Sequence, residues 1–181
     1  MSRKYKFRDA HGLYFVSFPV IGWIDIFTRE VYCQLFVESL AYCRMNLGME
    51  IYAWCIMPSH VHIIFRAKET DPGNLLKSLK GFTSRKILMA IAENPQESRK
   101  EWILSMAEHA GSLNSNIRFR QFWQQHNQPI ELWSSHVIQQ KVDYIHNNPV
   151  EAGFVLEPFF WKYSSAIDFA GGKGILEIDE L

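Results

Sequence analysis

Cysteine is scarce: Cys33, Cys43 and Cys55 are the only three in 181 residues. They form no C-x-x-C pair and no even set, which excludes a disulfide framework and points to a reduced, cytoplasmic protein. Long apolar runs are lacking too. The most apolar stretch, Leu13 to Phe27, is broken by Pro19, Gly22 and Asp25 and falls short of the ~20 apolar residues that span a bilayer. The opening Met-Ser-Arg-Lys-Tyr-Lys-Phe-Arg has neither the apolar core nor the small-residue cleavage site of a signal peptide, so no membrane partner is expected. Nor is there an excess of charge. Nineteen Lys and Arg balance nineteen Asp and Glu, which excludes a globally basic, histone-like binder. Internal repeats, coiled-coil heptads, low-complexity tracts and a Walker-type glycine loop are absent.

What is present is a chain that can bury a core. Hydrophobic residues make up 48% and aromatics 14%, and the length fits one domain over residues 1–181. The balanced charge is unevenly placed. Ten of the nineteen basic residues fall in three acid-free stretches. They are 1–8 (Arg3, Lys4, Lys6, Arg8), 73–92 (Lys77, Lys80, Arg85, Lys86) and 116–130 (Arg118, Arg120 among Phe119, Phe122 and Trp123). Cations interleaved with flat rings suit single-stranded nucleic acid, whose phosphates take the former and whose bases stack on the latter. The same stretches also fit ordinary solvated faces.

Leu13–Ile21, rich in aromatic and β-branched residues, reads as a strand. Thr28 can cap a helix in which Tyr32, Leu35, Phe36, Leu40, Cys43 and Leu47 recur at helical spacing until Gly48. Glu50–Met57 and His60–Ala67 are two strands joined by Pro58-Ser59, and Asp71-Pro-Gly-Asn opens a helix over about 73–92 that Asn94-Pro95 breaks. Ser98-Arg-Lys-Glu101 has the form of a capping box for a third helix that Gly111 ends, followed by a polar loop, Ser112 to Asn116. Residues 117–133 supply a fourth strand or an extended segment. Ser134 or Ser135 then caps a helix that Pro149 stops. Residues 1–12 read as a basic arm, 93–118 as an insertion, and 170–181, after Gly171-Gly172, as a flexible tail. The order predicts an α+β fold, a ferredoxin-like βαββαβ sheet with helices on one face, plus one further C-terminal helix.

Two features carry candidate chemistry. In His60-Val61-His62, strand alternation sends both imidazoles to one face and Val61, Ile63 and Phe65 to the other. Two imidazoles one strand step apart can share a divalent cation, although the spacing alone favours two half-buried histidines in a sheet. The second is Lys141-Val-Asp-Tyr144-Ile-His-Asn-Asn148-Pro149. Ile138, Val142 and Ile145 form its docking stripe, while Tyr144 and Asn148, four apart, share another face. A packing tyrosine followed by a helix-stop turn explains the same residues, and Asn148, before a proline, is expected at or just past the helix end.

Four segments in order change the weight of these features: Trp54-Cys-Ile-Met-Pro-Ser-His-Val-His-Ile-Ile64, Phe122-Trp-Gln-Gln, Asp143-Tyr-Ile-His-Asn-Asn-Pro-Val-Glu-Ala-Gly153, and Trp161-Lys-Tyr-Ser-Ser-Ala166. Together they resemble the single-tyrosine HUH transposases, and most closely the REP-associated branch of the IS200-like family, over about Leu13 to Phe169. The link at about 93–118 matches poorly, and the turn before the histidine strand is Pro-Ser where Pro-Asn is common. The resemblance implies cutting and rejoining of single-stranded DNA through a 5′-phosphotyrosine. Tyr144, on the additional helix, would be the nucleophile, and His60, His62 and Asn148 would be ligands of a Mg²⁺ or Mn²⁺ ion. It also implies hairpin DNA as partner. Arg3, Lys4, Lys6, Arg8, Lys77, Lys80, Arg85 and Lys86 would contact hairpin and backbone, and Arg118 and Arg120 the single strand. The sequence leaves monomer and homodimer open.

Two rivals remain. A domesticated hairpin-binding module would keep the fold without cutting, though the intact set of His60, His62, Tyr144 and Asn148 speaks against it. A metal-dependent hydrolase would also use His-x-His on a strand, but needs further His and Asp ligands on later strands of a barrel of ~250 residues.

Overall fold

Aromatic and β-branched segments pair here into one antiparallel sheet. The computed structural model describes residues 7–115, 119–125 and 127–181. β1 (Tyr14–Pro19) leads through two short 3₁₀ turns to α1 (Glu30–Asn46). β2 (Met49–Met57) and β3 (His60–Ala67) form a hairpin, followed by α2 (Pro72–Glu93), α3 (Lys100–Ser112), β4 (Ile130–Glu131), α4 (Ser135–Glu151) and α5 (Ala166–Phe169). The sheet order is β2-β3-β1-β4. With all neighbouring pairs antiparallel, this is the ferredoxin-like arrangement the element order predicts.

Strand alternation divides the core in two. Tyr14, Val16, Phe18, Val61, Ile63 and Phe65 face α1 and α2. Phe15, Cys55, Met57 and Ile64 face Val142 and Ile145 of α4 on the opposite side. A bulge between Ile51 and Ala53, where the register with β3 shifts, flips the parity of β2, so that Met49 and Ile51 before it and Trp54 and Ile56 after it share the α1 side. Trp54, Phe18 and Phe36 are fully buried, each contributing about 1.5–3 kcal/mol of burial energy.

Several local expectations are corrected. Thr28 does not cap α1; its Oγ1 donates to the Asp25 carbonyl and Arg29 stands at the N-cap. The Ser98–Glu101 capping box does not form. α3 starts after Arg99 without a side-chain cap, and the buried Glu97 carboxylate accepts from the Arg99 backbone N–H instead. β4 has only two residues, yet the segment before it stays extended along β1: Val20 bridges Trp123, and Ser17 N–H donates to the Asn127 carbonyl at 3.3 Å.

Pro149 does not stop α4, which runs to Glu151. Proline lacks the N–H that would bond one carbonyl a turn back, and that single loss falls in the last turn. The stop comes at Gly153, φ +76°. There Phe154 N–H donates to the Pro149 carbonyl and Gly153 N–H to that of Val150, a Schellman ending that needs glycine's left-handed freedom.

The tail returns to the sheet. Asp179 N–H donates to the Ile51 carbonyl at 2.7 Å, its carboxylate accepts from Ile51 N–H at 2.8 Å, and Arg44 pairs with it. Among the described residues no helix is long and apolar enough to cross a membrane.

Candidate active site

The β3 alternation delivers both imidazoles to the α4 side of the sheet. His60 and His62 lie with ring centroids 4.7 Å apart. His62 is 2% exposed, and neither of its ring nitrogens has a hydrogen-bond partner of good geometry among the described residues. Buried polar atoms left in this state call for an explanation. Burial pushes the His62 pKa down to about 3; the neighbouring His60 and Lys141 act in the same direction, while the nearby Asn148 side chain opposes them. Burial also lowers His60, again against Asn148. Both rings are therefore neutral at pH 7, the form of imidazole that offers a lone pair to a cation, and His60 Nδ1 lies 3.3 Å from Ser59 Oγ.

α4 brings the partners. Its N-terminus is fixed by Ser134, whose hydroxyl accepts from Val137 N–H. Val142 and Ile145 dock it on the sheet, which turns the Tyr144 and Asn148 face toward the histidines. The Tyr144 ring lies 5.3 Å from His62 and 5.9 Å from Phe15, edge-on to both. Tyr144 remains 42% exposed despite these contacts. Asn148 is half-buried within the helix rather than beyond its end. His60, His62, Tyr144 and Asn148 thus converge within one chain. Among the described residues no three His, Cys, Asp or Glu side chains cluster; what gathers here is two imidazoles and the Asn148 carboxamide beside them.

Sequence reasoning missed two residues here. Lys141, one turn before Tyr144, holds its ammonium 4.9 Å from the Phe15 ring centre and 5.2 Å from that of Tyr144. No ion pair among the described residues engages it. Its i, i+3 spacing from Tyr144 was the available signal. His146 is buried, and its Nε2 lies 2.9 Å from Ser165 Oγ. Ser165 Oγ accepts from Trp54 N–H and donates to the Trp54 carbonyl. This links α4 to the segment that covers the outer edge of β2, where Ile56 N–H donates to the Tyr163 carbonyl and Trp161 Nε1 to that of Ile56. Burial pushes His146 down to about 4, against the pull of Asp143.

Among the described residues, the predicted DNA contacts are not gathered at this site. Arg3, Lys4, Lys6 and Arg118 lie outside the described residues. Arg8 is exposed, its backbone N–H donating to the Tyr14 hydroxyl. Lys77, Lys80, Arg85 and Arg120 line a groove of about 1990 Å³ between α2 and the segment around 111–127, on the other side of the sheet. Lys80 turns inward to the Gln124 carbonyl and Asn127 Oδ1; burial lowers its pKa to about 8. Arg120 pairs with Glu108. Lys86 sits over the Phe82 ring at 4.9 Å.

Comparison with known proteins bears on the β2–β3 half of this site. Residues 24–105 match the IS200-like transposase family. The matched span contains the hairpin with His60 and His62 and ends before α4. The structure of a REP-associated tyrosine transposase bound to a REP hairpin is similar to this chain, with TM-score 0.65 and 18% identity, covering 99% of this chain and 93% of that one. A proposed transposase from Deinococcus radiodurans gives TM-score 0.47 and 19% identity over 81% of this chain and 95% of that one. No curated protein sequence matches. The IS200-like resemblance read from the sequence is borne out, as is the ferredoxin-like fold that carries it.

Proposed function

We propose that this protein cuts and rejoins single-stranded DNA at hairpin sequences, with Tyr144 as nucleophile. The observation that carries this reading is the placement of the Tyr144 ring 5.3 Å from His62, beside an imidazole whose two buried nitrogens have no hydrogen-bond partner of good geometry among the described residues. The Tyr144 hydroxyl attacks a backbone phosphorus, the new O–P bond forms, and the bond from phosphorus to the 3′ oxygen breaks. The phenol gives up one proton and the departing 3′ oxygen gains one. The resulting 5′-phosphotyrosine retains the energy of the broken diester, so a 3′-OH can reverse the exchange without a nucleotide cofactor.

The donor set fits a divalent cation of the Mg²⁺ or Mn²⁺ type. Neutral His60 and His62 and the Asn148 carboxamide leave room for water and phosphate, unlike a closed four-ligand zinc site. Such a cation, when bound, polarises the non-bridging phosphate oxygens. The chain's own residues do the rest. Phe15 and His62 hold the Tyr144 ring by edge contacts, and Lys141 supplies a positive charge beside it. Lys77, Arg85 and Lys86, which make no ion pair among the described residues, are free for backbone phosphates. Arg8, Lys80 and Arg120 are secondary candidates, since each already holds an internal contact.

The test is incubation with labelled single-stranded hairpins and Mn²⁺. A covalent protein–DNA adduct that Tyr144→Phe abolishes is expected. Hairpin binding with no adduct from the wild type would favour a non-catalytic hairpin-binding protein. The hydrolase reading is not favoured, because no further His or Asp ligands assemble around His60 and His62 among the described residues.

A further inference from the structure

The segment after β1 makes an unusual turn beside His60. Gly22 and Trp23 both adopt left-handed backbone, φ +57° and +55°. Glycine takes this conformation freely, whereas for a bulky aromatic it is a strained outlier that persists only where its surroundings enforce it. The enforcement is visible. Ile21 N–H donates to the Phe122 carbonyl at 2.9 Å, Trp23 N–H to Val20 at 3.1 Å and Ile24 N–H to Ile21 at 3.2 Å. Ile21 and Ile24 are buried on either side, and Met106 of α3 packs against the open side of Gly22.

All this holds an indole out in solvent. Trp23 is 58% exposed, and its one ring contact among the described residues is with His60, edge-on at 5.5 Å. Trp23, His60, His62 and Tyr144 therefore form a row, with successive centroids 5.5, 4.7 and 5.3 Å apart. The neighbouring carboxylate, Asp25, is neutralised by Arg99, so no free negative charge from it opposes an anionic strand.

We propose that Trp23 is a stacking platform for an unpaired nucleobase adjacent to the phosphate that Tyr144 attacks. The inference rests on the function proposed above and adds to it a contact for the single strand. A flat, rigidly held, exposed ring at the end of a row leading to the nucleophile suits a base face. It is sequence-tolerant, because every base offers a π-surface. Phe119, a candidate single-strand contact in the sequence, has no such place beside the histidines.

The test uses the full-length chain in the Tyr144→Phe background, where binding proceeds without chemistry. DNA hairpins with single-stranded flanks are titrated while tryptophan fluorescence is followed, and Trp23→Phe isolates the Trp23 signal from the other five tryptophans. Binding is expected to quench that signal. Trp23→Ala should weaken binding of flanked hairpins about tenfold, with Trp23→Phe intermediate and hairpins without flanks unaffected. An abasic site walked along the flank should abolish both the quenching and the Trp23→Ala penalty at one position. Trp23→Gly suits the left-handed backbone, so its melting temperature should equal or exceed that of the parent while flanked-hairpin binding weakens as in Trp23→Ala, which separates stacking from folding. Equal flank binding by Trp23→Ala, or quenching that survives every abasic position, overturns the proposal. An apolar protein partner as the true occupant would give that result. If base-dependent quenching appears but the protein with Tyr144 intact forms no adduct, the cutting reading fails and the platform stands. If the adduct forms and Trp23→Ala is silent, only the platform fails.

Discussion

His62 of β3 and Tyr144 of α4 meet edge-on, 5.3 Å apart at an interplanar angle of 73°, although 82 residues of sequence separate their numbers. The contact lies within one chain, so a complete pair of histidine and phenol exists without a second copy. His62→Ala should therefore reduce adduct formation by about a hundredfold or more, as should EDTA, with Mn²⁺ restoring only the chelated wild type. Gel-resolved adduct yields measure both.

Lys141 should matter to rate more than to fold. Its ammonium rests on two aromatic rings, a contact of about 0.5–1 kcal/mol, and one of them is Tyr144, the nucleophile in the function proposed above. Lys141→Met is expected to slow adduct formation about 10- to 100-fold while shifting the melting temperature little, and Lys141→Arg to recover part of the rate. Single-turnover kinetics would show it.

Acid sensitivity should begin near pH 6.5. His60, His62 and His146 all have pKa values lowered by burial, the last two to about 3 and about 4. The unfolded chain takes up protons at the ordinary histidine value while the folded chain resists, so stability present above about pH 6.5 is lost as pH falls toward the folded values. A loss on the order of 1–3 kcal/mol from His146 alone between pH 6.5 and 4 is expected. Urea titrations compared with His146→Gln, which removes the titrating ring, would reveal it as a shallower pH slope in the variant.

A second acid step belongs to Glu97. Burial raises its carboxyl pKa, but hydrogen bonds from Arg29 and Arg99 outweigh this and hold it below the usual value. The stability it lends is present above about pH 4.5 and vanishes as pH falls through the lowered value. Glu97→Gln should cost about 1–3 kcal/mol at pH 7, at the lower end because both arginines are a third exposed. The same variant should show a weaker acid transition in thermal melts.

The parts of the site legible in sequence are those set by short-range periodicity. Strand alternation alone put His60 and His62 on one face and Val61, Ile63 and Phe65 on the other. The 3.6-residue repeat alone set Tyr144 above Asn148. What the sequence hid depends on competition between local signals and distant partners. Pro149 looked like a stop because its effect on a final turn is small and Gly153, four residues on, was not weighed against it. Ser98 and Glu101 had capping spacing, but Glu97 won the backbone N–H because Arg29, 68 positions away, draws its carboxylate inward. Lys80 and Arg120 read as free cations, yet each has found a partner in another element. The left-handed Trp23 carries no residue-type signal at all.

The bond between His146 and Ser165, together with the serine and glycine that finish the two ends of α4, ties the helix that carries Tyr144, the proposed nucleophile, to the rest of the fold. In a cycle of cutting and rejoining, the traveller is then the liberated DNA end. The choice of a new 3′ terminus falls to whatever surface steers that loose strand back to a stationary tyrosine.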